Sequence, residues 1–82
     1  MEESRIAVLA IAVKDREKAM QVNEILHNYG EHIISRNGIP YQEKGISIIT
    51  VIMDAPQDEV NTLSGKIGKL QEVEVKTSYL KI

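Results

Sequence analysis

The run GISIITVIM, residues 45–53, decides how this chain folds. In alternate positions Ile46, Ile48, Thr50 and Ile52 point one way and Ser47, Ile49, Val51 and Met53 the other, and both sets are largely apolar. A strand with one face in water alternates apolar with polar residues, so one that is apolar on both alternations belongs in the middle of a sheet. RIAVLAIAV, residues 5–13, has the same character: Ala7, Leu9, Ile11 and Val13 oppose Ile6, Val8, Ala10 and Ala12. Two central strands are therefore expected.

The rest of the chain falls into place around them. Asp15 is a good N-cap for REKAMQVNEILHNYG, in which Ala19, Val22, Leu26 and Tyr29 recur at helical spacing, flanked by Met20 and Ile25. Gly30 then predicts a left-handed stop, which gives a helix over residues 15–29. Residues 32–41 read as a strand. After the central run, Asp54 or Ala55 is expected to open a second helix with Pro56 in its first turn. That helix carries Val60, Leu63, Ile67 and Leu70 on one face. VEVKTSYL, residues 73–80, alternates as a half-exposed strand does. The order is βαββαβ, an α+β ferredoxin-like sandwich with strand order 4-1-3-2. The two most apolar strands take the middle, and Pro40 falls on an edge, where a missing N–H is tolerated.

Two helices cover one face of such a sheet. The other face of the central strands is also apolar, and an exposed patch of that kind marks an association site. A homo-oligomer is expected, a two-fold dimer through the sheet face or a tetramer that also uses the edge strands. Within SRNGIPYQEKG, residues 35–45, Asn37–Gly38 is a hairpin signal in isolation. A turn there would force a second turn at once. The turn is therefore expected at QEKG, with Gly45 left-handed, Gly38 and Pro40 on a long edge strand at a bulge, and Arg36 and Tyr41 projecting from that edge.

The chain has 82 residues, a single-domain length, and no cysteine. Disulfides and thiolate metal sites are excluded, so self-association is the obvious support for so small a core. The formal charge is −2 and the pI about 5.6. With no basic face, this domain alone is not expected to bind nucleic acid directly. It has no Phe or Trp, and none of its tyrosines falls on a central strand, which excludes base stacking in the RNA-recognition manner. MEESRIAVLAIAV places Glu2 and Glu3 before its apolar run, unlike the positive start of a signal peptide, and the run is too short to span a bilayer. A cytoplasmic protein with no membrane partner is expected.

No serine sits in a nucleophile elbow. Ser35, Ser47, Ser64 and Ser78 fall within strands or helices, and the carboxylate pairs Glu2–Glu3 and Asp58–Glu59 lie at element starts. The chain is not expected to be an enzyme. SGKIGKL, residues 64–70, lacks the spacing and the strand-to-helix context of a phosphate loop. Gly65 and Gly68 nonetheless cost about 1 kcal/mol each inside a helix, which points to a close approach by the sheet or a neighbouring subunit, or to a ligand. His27 and His32, with Glu24 and Glu31 near them, are the metal candidates, but their spacing fits no metal signature and no cofactor is expected. Asp15–Arg16 lies at the first strand-to-helix turn, near a helix N-terminus that favours an anion, although Asp15 also serves as the cap. The candidate ligand- or partner-binding residues are thus Asp15, Arg16, Arg36, Gly38, Pro40, Tyr41, Gly65 and Gly68.

From Val13 to Thr77 the chain resembles the iron-only hydrogenase system regulators. The pieces that carry the likeness are Asp15–Arg16, Val22–Asn23–Glu24, Leu26–His27, Arg36-x-Gly38-x-Pro40, Leu63-x-Gly65–Lys66–Ile67–Gly68 and Val75–Lys76–Thr77. The family more often has leucine where Ile67 stands. It is similar in fold to ACT domains and to the effector domain of the nickel-responsive repressor, both ligand-responsive oligomers. The resemblance implies a non-catalytic transcriptional or metabolic regulator that senses a small-molecule effector or docks on a regulatory protein. The glycine that ACT domains carry after the first strand is replaced here by Asp15–Arg16–Glu17, and the repressor's cysteine ligand has no counterpart. The resemblance therefore carries over neither an amino-acid site nor a nickel site. The competing expectations are an assembly protein without a ligand and a small phosphatase of the same fold.

Overall fold

The computed structural model of the chain describes residues 3–82. Of the Glu2–Glu3 pair, Glu2 lies outside the described residues. The elements run β1 (Ser4–Val13), α1 (Arg16–His27), a 3-10 turn (Gly30–His32), β2 (Ile33–Tyr41), a second 3-10 turn (Gln42–Lys44), β3 (Ile46–Pro56), α2 (Gln57–Gly68) and β4 (Val73–Tyr79). The strands form one antiparallel sheet in the order β2-β3-β1-β4, the expected 4-1-3-2 order read from the other edge. The two apolar runs are the two central strands.

Register decides which side chains share a face, because residues directly opposite each other in a ladder point the same way. Leu9 lies opposite Val51 and Thr77, and Ile11 opposite Ile49 and Val75. These residues face the helices. Val22 and Leu26 of α1 and Val60, Leu63 and Ile67 of α2 close over them, and all five are fully buried. Val8 lies opposite Ile52, and Ala12 opposite Ile48, on the face that neither helix covers. Ile39 and Tyr41 of β2 join that face opposite Ile48 and Ile46.

Several local expectations are corrected. Gly30 is not left-handed; positive φ occurs only at Gly45 and Glu72 among the described residues. The helix ends instead through a 3-10 turn, and Tyr29, buried at its start, draws the chain into the core. Asp54 and Ala55 do not open α2. Pairing with the start of β1 (Arg5 with Ala55, Ser4 with Pro56) keeps them in β3, and Pro56 stays extended at the cap position (φ −57°, ψ 147°). The irregularity of β2 lies at Ile34, between Ile33 and Ser35, whereas Gly38 is in register opposite Ile49. Met20, expected beside the buried stripe of α1, is 70% exposed. Gly45 does take the left-handed position after QEK (φ 63°), which makes SRNGIPY an edge strand.

No described helix is long and apolar enough to cross a membrane.

Candidate functional site at the β2 edge

The outer strand β2 is paired in the sheet with β3 alone, and α1 passes above its helix-facing side. Alternate residues Arg36, Gly38 and Pro40 point toward α1, opposite Val51, Ile49 and Ser47. Ala19 and Asn23, one helical turn apart on α1, face them across a groove of about 180 Å³. The groove exists because small residues surround it: a Cβ added to Gly38 would meet only Ile49, at 3.9 Å. Arg36 spans the gap and donates from Nη2 to the side-chain oxygen of Asn23.

A second groove, about 200 Å³, continues from the first at the end of the sheet. Pro40 and Ser47 line both. Here Lys14, Arg16, Tyr41, Gln42 and Gly45 line the end of the sheet together with the apolar Val13, from its helix side, and Ile46, from its open side. The Tyr41 hydroxyl donates to Glu43 at 3.3 Å. Five candidates, Arg16, Arg36, Gly38, Pro40 and Tyr41, thus lie along one continuous surface.

The remaining candidates lie elsewhere or serve structure. Asp15 caps α1 and accepts from the Glu17 N–H at 3.0 Å. Gly65 and Gly68 sit on α2 and line neither groove. A Cβ at Gly68 would touch Val75 at 3.5 Å, so close packing on β4 explains it, whereas Gly65 has nothing within 4 Å. His27 ends α1, and His32 Nε2 lies 3.8 Å from a Glu31 carboxylate oxygen. Among the described residues no three acidic or histidine side chains converge on a point that could hold a metal. Asn23, Ala19 and Ser47 are absent from the binding candidates read from the sequence. The signal was available for two of them, since Ala19 belongs to the helical stripe and Asn23 follows it by one turn.

The open face of the sheet adjoins both grooves. Its centre is Ile6, Val8, Ala10 and Ala12 of β1 with Ile46, Ile48 and Ile52 of β3, and it reaches Ile39 and Tyr41 of β2. Ile48 and Ile52 are each 38% exposed and Ile39 is 54% exposed. Glu74, Lys76 and Ser78 of β4 form a polar margin.

Residues 5–77 match the TM1266-like family, described as "Iron-only hydrogenase system regulator, putative". The structure of protein TM1266 from Thermotoga maritima is 45% identical in sequence and superposes with a TM-score of 0.91, over 96% of this chain and 100% of that one. The ACT domain of the GTP pyrophosphokinase of Chlorobium tepidum shares the fold at 19% identity, with a TM-score of 0.75 over 94% of this chain and 99% of that one. The divalent ion tolerance protein CutA1 of Ehrlichia chaffeensis has 18% identity and a TM-score of 0.53, over 96% and 84% of the two chains. No curated protein matches the sequence.

Proposed function

The chain belongs to the iron-only hydrogenase system regulator family, and from that premise we propose that it is a non-catalytic, cytoplasmic regulatory module that works as a homo-oligomer. The observation that carries this reading is the uncovered apolar face. A single copy leaves Ile39, Ile48 and Ile52 in water on the same side of the sheet. Four strands about 4.8 Å apart, of 10, 9, 11 and 7 residues at about 3.3 Å each, give a planar footprint of roughly 600 Å². A standard interface takes roughly 800 Å² from each partner, the same order as this footprint. A second copy related by a two-fold axis covers it with the same residues, and the opposite charges of Glu74 and Lys76 at its margin suit a self-complementary contact. The edge strands offer a second contact for a tetramer.

In this reading the β2 edge, with Arg16, Arg36, Gly38, Pro40 and Tyr41, receives a small effector or a regulatory protein. Tyr41 and Ile46 line a groove and also lie on the sheet face, so occupation of one alters the other. Thermal-shift measurements on the wild-type protein with small organic acids, nucleotides and divalent metals test the effector half of the reading. A reproducible rise in melting temperature with one class supports it. A flat response to all of them leaves an assembly protein that binds no effector.

A further inference from the structure

We infer that the groove between α1 and the β2 edge is a binding site for a small aliphatic monocarboxylate, an assignment that rests on the regulatory reading of that edge and names its effector class. Three observations converge on it. The first is shape. Ala19, Gly38 and Ser47 are all small, and together they leave about 180 Å³ open where ordinary side chains would meet. That is below the roughly 300–1,000 Å³ of a pocket for a drug-sized ligand, so the occupant is small. The second is polarity. Ile49, buried beneath the groove, and Pro40 at its side present hydrocarbon to whatever enters.

The third is charge. Among the described residues Arg36 is the sole charged residue lining the groove, and no carboxylate lies within 4.0 Å of its guanidinium. Of the five N–H donors a guanidinium carries, the Asn23 oxygen takes one. The others have no acceptor among the described residues. A planar carboxylate matches that fork with two parallel hydrogen bonds. One guanidinium balances one negative charge, so a dianionic phosphate would be left half-neutralised, and a neutral amide would forgo the charge-assisted bond. The Arg36–Asn23 contact is also the one side-chain hydrogen bond joining α1 to β2 among the described residues. A carboxylate that draws Arg36 into the groove therefore acts on the attachment of the edge strand.

The test uses the full 15N-labelled chain titrated with butyrate at constant ionic strength, with butyramide as the neutral match and methyl phosphate as the dianion. Butyrate is expected to shift the Ala19, Gly38 and Ser47 amide signals saturably in the millimolar range. Butyramide and methyl phosphate are expected to bind at least about tenfold more weakly. Arg36→Gln removes the charge, and Gly38→Val fills the groove. Whichever of them keeps a dispersed spectrum is expected to lose butyrate binding by a similar factor. Equal binding of butyramide, unchanged binding in the variants, or the absence of a saturable shift at these amides overturns the assignment. Sedimentation of the same samples reads the self-association separately: a dimer without the amide shifts sinks the assignment alone, and a monomer sinks the oligomeric reading.

Discussion

The two faces of the sheet are made from the same strands and nearly the same residue types, yet they end in different surroundings. Leu9 and Val51 on one face are fully buried under α1 and α2. One residue along, Val8 and Ile52 form an equivalent cross-strand pair, and Ile52 remains 38% exposed. Apolar character alone therefore does not say what covers a strand. The connections do that: each helix returns over the same side because both crossovers in a βαββαβ chain have the same hand. The sequence asks for cover on two sides, and the chain itself supplies one.

The largest effect expected is on the covered face. Leu9→Ala removes a fully buried side chain from beneath the helices and is expected to cost about 3–4 kcal/mol in urea unfolding. A loss below about 1 kcal/mol would mean that this face is not the core. On the open face, Ile48→Asp is expected to leave the fold of each copy intact, with the far-ultraviolet circular dichroism unchanged. Its dimer dissociation constant should rise about 100-fold or more, as for a charge placed in the middle of an interface. Cooperative unfolding of the variant without any change in association would reverse the roles assigned to the faces. The smallest effect concerns the outer side of α2, where Gly65 has open space around it. Gly65→Ala is expected to stabilise the protein by about 0.8 kcal/mol in the same urea titration, by helix propensity alone. Destabilisation there, with loss of association, would show that the helical side also meets a neighbour.

Elements whose signals are redundant are legible in the sequence. Pro40, the polar alternation of β4 and the doubly apolar β1 and β3 all required the same strand order. Gly45 was readable because a left-handed residue is what closes the QEK turn. The misread points are places where a local signal competed with a distant contact. Gly30 reads as a helix stop, but burial of Tyr29 sets the path of the chain there. Asp54, Ala55 and Pro56 read as a helix start, but β1 begins at Ser4 and holds them in the ladder. The groove was half legible. Arg36, Gly38 and Pro40 stood out as an odd edge strand, whereas its other wall, Ala19 and Asn23, belongs to α1 and becomes a neighbour only once the helix is laid across the sheet.

In the proposed assembly a second copy of the chain covers the open face. Sedimentation velocity on the wild-type protein from about 1 to 100 μM tests it most directly. A species of twice the chain mass or larger is expected throughout the upper part of that range, and a monomer for Ile48→Asp at the same concentrations. A wild-type protein that sediments as a monomer at 100 μM would contradict it.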